Sequence, residues 1–494
     1  MPKYVLAIDQ GTTGSTAIVF DERGRIRGRG YSEFRQYYPS PGWVEHDAEE
    51  IWSVSLKVMQ AALRNARLTA KQISAIGITN QRETVVLWDR KTGKPLHRAI
   101  VWQDRRTAPF CEQLVASGAD HSIRAKTGLV VDPYFSGTKV RWLFDKLKGA
   151  RRKADQIAFG TIDSWLIWKL TGGKVHATDY TNASRTLMFD IYARRWDEEL
   201  LQILDVPGSI LPQVVPSAGV IGTTAVKGLA AEIPIAGVAG DQQAALFGQN
   251  CHKPGMVKNT YGTGCFMLMF TGDLAVRSER GLLTTLACAA DGGPAYAIEG
   301  SVFIAGAAVQ WLRDGLGLIK SAAETEALAR KVDSTLGVYM VPAFVGLGAP
   351  YWDAAARGAI VGLTRGVGRE HIARATLESL AYQTRDVVDT MVAESGKPLT
   401  GLRVDGGAAA NDFLMQFQAD LLGTTVDRPK IVETTAMGAA QLAGLGSGVW
   451  TSAKDLDRVR QTDRVFKPKM APEKRAALYH GWRRAVAAVR SLGS

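Results

Sequence analysis

The sequence predicts an α/β protein made of two related domains, on three observations. The chain has 494 residues, too many for a single hydrophobic core. Short aliphatic runs alternate with helical stretches along most of its length. One pattern also occurs twice, about half a chain apart: a β-rich run, a turn of Gly and Thr, and a second β-rich run. The boundary is placed at 252/253, where Lys253, Pro254 and Gly255 break the pattern, giving domains of residues 1–252 and 253–494.

The first hairpin reads Val5, Leu6, Ala7, Ile8, then Asp9, Gln10, Gly11, Thr12, Thr13, Gly14, then a run at 17–20. Glycine lets backbone N–H groups approach a ligand and threonine hydroxyls add donors, so the turn suits a phosphate. Asp9, where strand meets turn, is placed for a hydrated magnesium ion. Alone, the stretch reads more simply as a plain hairpin with a polar tip. The second copy, 256–261, then Gly262, Thr263, Gly264, then 265–270, makes the pair two grips on one phosphate-bearing ligand.

Between the hairpins, Asp47-x-x-Glu50 predicts a helix from about Ala48 with Ile51, Val54, Val58 and Ala62 on one face. Residues 75–79 and 84–88 read as strands, and 160–170 as a turn into a Trp-rich helix. A strand at 234–240 delivers Asp241 to a helix at 242–249. Later strands are expected at 295–299, 338–344 and 358–363, with a long helix at 369–394 ending before Gly396 and Pro398. A strand at 402–405, the Gly406-Gly407 turn and a helix at 409–422 form a unit whose helix N-terminus accepts a nucleotide. An amphipathic helix at 473–492 closes the chain.

Composition removes several classes of function. A hydrophobic share of 46% with 22% charged residues is that of a soluble globular protein. No apolar run approaches the roughly 20 residues of a membrane span, and Asp9 comes too early for a signal peptide. Cys111, Cys251, Cys265 and Cys288 lack CxxC spacing and His partners, which fits reduced thiols in a cytoplasmic protein. The net charge of +12 is scattered over 23–29, 146–153 and 458–490, so a solvated basic face is expected and no nucleic-acid partner.

Familiar nucleotide motifs are also missing. Gly93-Lys94, Gly173-Lys174 and Gly396-Lys397 are followed by Pro95, Val175 and Pro398, so none is a Walker A loop. No GxGxxG follows the first strand, and no HRD and DFG pair is present. An ATP site here is therefore one made by hairpins. That is the ribonuclease H-like, actin-like ATPase fold shared by actin, hexokinase and the heat-shock chaperones, with a central active-site cleft.

The remaining motifs are specific. Asn80-Gln81-Arg82-Glu83-Thr84, residues 100–106 (IVWQDRR), Asp132-Pro133-Tyr134-Phe135-Ser136, residues 181–186 (TNASRT) and 239–246 (AGDQQAAL) closely resemble the glycerol kinases of the FGGY carbohydrate kinase family. Residues 358–363 (GAIVGL), His371-Ile372 and 375–378 (ATLE) look like a signature of the wider family. The resemblance spans essentially the whole chain. It implies ATP-dependent phosphorylation of glycerol to sn-glycerol 3-phosphate, with Asp241 as catalytic base. Arg82, Glu83, Trp102, Tyr134, Asp241, Gln242 and Phe266 would bind glycerol. Thr12, Thr13, Gly14, Thr16, Thr263, Gly306, Gln310, Gly407 and Asn411 would bind ATP or ADP. Asp9 and Asp241 would hold Mg2+, partly through water. A homodimer or homotetramer is implied as well. Taken singly these residues read otherwise: Arg82–Glu83 as a surface ion pair, Trp102 and Phe266 as core, Asp241 as a helix cap. A non-catalytic actin-like ATPase would keep both hairpins, but it has no need of Arg82, Glu83, Trp102 and Tyr134 together. Another sugar kinase of the family is the nearer alternative.

Two departures from the family pattern stand out. Glycerol kinases commonly carry Ser then Ser-Arg where this chain has Gly14, Ser15 and Thr16, so a charge-assisted phosphate contact is missing and weaker nucleotide binding is expected. The loop that in many bacterial relatives binds fructose 1,6-bisphosphate through glycines and an Arg runs here from Gly222 to Glu232. Lys227 is its only cation, and it has no Arg and no His. Insensitivity to the sugar bisphosphate through this loop is the expectation.

Overall fold

The computed structural model describes residues 3–491. Its N-terminal half is organised on a mixed six-stranded sheet made of β1 (Tyr4–Gln10), β2 (Gly14–Asp21), β3 (Ile26–Glu33), β4 (Ile73–Asn80), β5 (Ala218–Thr223) and β6 (Pro234–Gly240). The strand order is β5-β6-β4-β1-β2-β3, with β1–β4 and β4–β6 parallel and the other pairs antiparallel. The C-terminal half repeats the plan with β7 (Met256–Tyr261), β8 (Cys265–Gly272), β9 (Leu283–Cys288), β10 (Pro294–Val302), β11 (Gly401–Asp405), β12 (Val426–Pro429) and β13 (Thr462–Phe466) in the order β9-β10-β8-β7-β11-β12-β13. Its parallel pairs are β7–β11 and β11–β12. In each sheet a hairpin lies beside a parallel strand, so both Gly/Thr turns open at the end where the parallel strands deliver their C-termini.

The run Val5–Ile8 is apolar without alternation because both faces of the first sheet are covered. Leu6, Ile8, Ala17 and Val19 pack beneath helix α1 (Ala48–Ala66), against Ile51, Val58 and Ala62. As expected, Asp47 caps α1, accepting from the N–H groups of Glu49 and Glu50. Glu50 does not close the capping box, since its carboxylate accepts from the Arg35 N–H instead (3.1 Å). The Trp-rich helix is α2 (Ile162–Leu170), and α3 (Asp241–Gly248) follows β6 directly.

In the second half, α4 (Gly306–Asp314), α5 (Arg369–Ser395) and α6 (Asp412–Leu422) surround the sheet, followed by α7 (Thr434–Gly446) and α8 (Pro472–Ser491). The expected last residue of α8, Leu492, lies outside the described residues. Helix α7 leaves its own half. Met437, Ala439, Ala440, Leu442 and Ala443 pack on Val5, Ala7, Ile18 and Phe20, the remaining face of the first sheet. Small residues permit the approach: a Cβ on Gly438 would lie 1.8 Å from the Ala244 carbonyl oxygen of α3. The two halves are thus interlocked at a crossing of α3 and α7.

Three strand expectations change. Residues 84–88 shift to Val86–Asp89, which pairs with Ile157–Gly160 outside the main sheet, because Glu83 turns the chain with φ +61°. The runs at 338–344 and 358–363 shrink to Tyr339–Val341 and Ala359–Val361 and pair only with each other, Pro342 and the left-handed Gly362 ending them. The basic run at 23–29 leads into β3, whose exposed face carries Arg27 and Arg29.

Candidate active site

Strand β4 ends at Asn80, and the chain turns at once: the Thr84 N–H donates to the Arg82 carbonyl at 2.7 Å. The left-handed Glu83 in that turn is a strained position for a side chain, of the kind held by surroundings that over-determine it. Those surroundings are charged. Arg82 and Glu83, 2% and 1% exposed, form no surface ion pair. Arg82 donates twice to Glu299 (2.6 and 3.1 Å), lies 3.2 Å from Asp241, and reaches the Tyr134 hydroxyl (3.4 Å) and Gln243 (3.2 Å). Glu83 accepts from Arg185 (2.6 Å), which also donates to Glu299 (3.1 Å).

Burial opposes ionisation of Glu299, yet Arg185 and Arg82 prevail and hold its carboxyl down to about 2. Glu83 goes the other way, with burial outweighing the two guanidiniums. Burial likewise raises Asp241, against the pull of Arg82, its neighbour's N–H and Lys258. Asp9 is pushed up to about 7 by burial and then by the charge of Asp241.

The seven residues expected on the glycerol side form one contiguous chain of contacts. The Trp102 indole N–H donates to Thr12 Oγ1 (2.9 Å), and its ring meets Tyr134 edge-on at 5.5 Å. Tyr134 leads through Arg82 to Asp241 and Glu83. Gln242, next along α3, accepts from Lys258, whose ammonium also donates to Thr260 Oγ1 (2.9 Å) and the Phe266 carbonyl (3.2 Å) on the second hairpin. The chain therefore runs from one Gly/Thr hairpin to the other.

The residues expected on the nucleotide side divide. Thr263, Gly306, Gln310, Gly407 and Asn411 line one cavity of about 450 Å³, with Val309 and Leu377 as apolar wall, within the usual range of small-molecule pockets. Gly262 and Thr263 accept N–H bonds from Ala305, Gly306 and Ala307, which ties the second turn to the start of α4. Asn411 is already engaged: its Oδ1 caps α6 by accepting from the Leu414 N–H (2.9 Å), and its amide donates to Thr325 (3.3 Å). Thr12, Thr13, Gly14 and Thr16 do not line this cavity. Thr12 and Thr13 form the first turn, whereas Gly14 and Thr16 sit inside β2, Gly14 buried against β3 and Thr16 opposite Asp9.

For magnesium the fit rests on Asp9. Its carboxylate accepts no hydrogen bond from the described residues and faces the charge of Asp241, an arrangement that a hydrated cation between them would relieve. No group of three or more His, Cys, Asp or Glu residues that could hold a metal ion occurs among the described residues, so much of such an ion's shell would be water and phosphate.

Sequence reasoning missed Glu299, Arg185, Lys258 and Lys139, the last donating to the Tyr134 and Phe135 carbonyls (2.6 and 3.0 Å). A signal existed for two of them. Glu299 ends the apolar run 295–298, and Lys258 interrupts β7, and a charge in a buried strand requires partners.

Known proteins resemble the chain along nearly its whole length. The model of the FGGY family of carbohydrate kinases, N-terminal domain, matches residues 4–248, and that of the C-terminal domain matches 257–447. The chain is 60% identical over 488 residues to a glycerol kinase of Caldanaerobacter subterraneus subsp. tengcongensis, covering 98% of each chain. It is 60% identical over 490 residues to one of Deinococcus radiodurans, covering 99% of this chain and 98% of the other. Among solved structures it resembles Plasmodium falciparum glycerol kinase with ADP, at TM-score 0.93 and 38% identity over 99% of this chain and 98% of that one. The likeness to Lactobacillus acidophilus gluconate kinase (TM-score 0.88, 22% identity, 100% of both chains) is one of fold alone.

Proposed function

The chain belongs to the FGGY family of carbohydrate kinases, and from that premise we propose that it transfers the γ-phosphoryl group of ATP to a terminal hydroxyl of glycerol. The observation that carries this reading is the contact chain from Thr12 through Trp102, Tyr134, Arg82 and Asp241 to Lys258 and Phe266, in a protein with full-length glycerol kinase relatives.

Asp241 accepts the hydroxyl proton as the oxygen attacks, its carboxylate oriented by Arg82 and the Gln242 N–H. Arg82 and Glu83 sort the remaining hydroxyls by offering donors and an acceptor, while Trp102 and Phe266 supply the apolar wall. The hairpin turns at Thr12, Thr13 and Thr263 hold phosphate, and the cavity bounded by Gly306, Gln310, Gly407 and Asn411 takes the nucleoside. Mg2+, bound near Asp9 and Asp241 through water, would neutralise β- and γ-phosphate charge. Most of the rate enhancement is positioning and charge stabilisation in a closed cleft. The moving parts are the units 1–252 and 253–494, with α7 carried on the first sheet. We further propose a cytoplasmic homodimer or homotetramer; no helix of the described residues is long and apolar enough to cross a membrane.

A coupled ADP-release assay across a panel of polyols and sugars tests the reading. Glycerol-dependent turnover with little response to xylulose or gluconate is expected. Preference for another sugar, or hydrolysis of ATP indifferent to every polyol, overturns it.

A further inference from the structure

Lys258 is fully buried on β7, and all its hydrogen bonds point at residues of the site: the Gln242 side-chain oxygen, Thr260 Oγ1 and the Phe266 carbonyl. An ammonium has three N–H donors and no acceptor, so each of these contacts must end on an acceptor. This fixes the polarity of Gln242. A carboxamide has an oxygen end and an NH2 end, and only the oxygen end is able to face a lysine. The NH2 end is therefore turned away, and it has no hydrogen-bond partner among the described residues. Gln242 adjoins Asp241 and is half-buried in the cleft, where a partner-free donor is available to a ligand.

We propose that Lys258 is a positioning residue for substrate recognition, locking the Gln242 carboxamide so that its NH2 group donates to a substrate hydroxyl oxygen and fixing the Phe266 backbone from the same atom. The proposal rests on the reading of Gln242 as a glycerol contact. It adds that this residue acts as a donor and states what makes it one. Lys258 lies in the second half of the chain and Gln242 in the first, so the contact also registers the polar and apolar sides of the pocket across the cleft. With Lys258 absent, the two amide orientations differ little, and the hydroxyl meets an oxygen as readily as an N–H.

Steady-state kinetics of Lys258→Met decide the matter. Loss of one oriented hydrogen bond is expected to raise the glycerol KM on the order of tenfold, with the ATP KM changing less than about threefold. In a Gln242→Met background the same lysine substitution should add almost nothing to the glycerol KM, because the group it orients is gone. Gln242→Glu tests polarity with Lys258 in place, and it stands alone if Lys258→Met fails to fold. It keeps the lysine partner but offers the substrate only acceptors, and the glycerol KM should again rise. An unchanged glycerol KM in Lys258→Met or in Gln242→Glu overturns the assignment, as does a lysine effect undiminished in the Gln242→Met background. Wild-type protein that does not phosphorylate glycerol at all defeats the proposed function as well, which separates the two failures.

Discussion

The base role proposed for Asp241 carries two demands that its surroundings reconcile. To take a proton it must be a base of useful strength, and burial supplies this by raising its carboxyl. To be ionised at all in such a place it needs the nearby Arg82 guanidinium, 3.2 Å away. Asp241→Asn keeps size and most hydrogen bonding but has no basic site. It is expected to lower kcat on the order of 10²–10⁴ with the fold intact, and near-normal turnover of purified variant would remove Asp241 from the mechanism. Asp9 gives a prediction in pH. Its folded-state carboxyl is raised from 3.8 to about 7, so between those values the folded protein binds more protons than the unfolded one. The stability linked to protonated Asp9 is fully present below about pH 4 and is lost as pH rises through about 7. Unliganded Asp9→Asn should therefore gain melting temperature relative to wild type across that window. A difference flat with pH would show the carboxyl to be unperturbed.

At the scale of elements, neither the first hairpin nor the loop before β6 carries an arginine. Thr16 lies directly opposite Asp9 in the β1–β2 register, so a side chain there projects from the same face as the proposed magnesium carboxylate. Thr16→Arg is expected to tighten ATP binding measurably in a calorimetric titration while leaving glycerol affinity alone, and no gain in ATP affinity counts against a phosphate role for this position. The loop 224–232 is occupied with holding itself. The Thr224 hydroxyl donates to the Ala231 carbonyl (2.9 Å) and accepts from the Ile233 N–H (2.9 Å), and Gln60 of α1 reaches the Gly228 carbonyl (2.9 Å). Lys227 is exposed and alone there. Fructose 1,6-bisphosphate titrated into a steady-state assay should leave the rate unchanged. Inhibition abolished by Lys227→Ala would show the loop to be working.

For the whole molecule, Glu299 is a buried charge that joins the halves. It reaches from β10 of the second sheet to Arg82 at the end of β4 and to Arg185 in the insertion between β4 and β5. Removing one partner from a buried ionic network leaves uncompensated charge, at a typical cost of about 3–5 kcal/mol. Glu299→Gln should lower the urea midpoint accordingly and raise the glycerol KM, since Arg82 loses its anchor. A midpoint equal to wild type would mean that Arg82 and Arg185 find other partners.

What the sequence determined by itself are the features whose cause is local. A Gly/Thr turn between apolar runs makes a hairpin wherever it falls, Asp47 caps the helix it precedes, and the motifs 80–84, 132–136 and 239–246 carry the chemistry of the pocket in their own side chains. The five residues expected on the nucleotide side, from 263 to 411, came from the family resemblance, and they line one cavity. Tertiary structure alone decided the rest. Strand β3 was hidden because Gly28 and Gly30 are poor strand formers. Their reason is across the core, where a Cβ on Gly30 would lie 2.3 Å from the Val58 carbonyl oxygen of α1. The seating of α7 on the first sheet depends on small residues in both partners, about 200–440 positions apart. The roles of Glu299 and Arg185 are set by charges brought together over more than 100 residues, as between Glu83 and Arg185. Periodicity and spacing report the forces along a chain, whereas the electrostatics of a buried site depend on which distant segments meet there, and only the folded molecule specifies that.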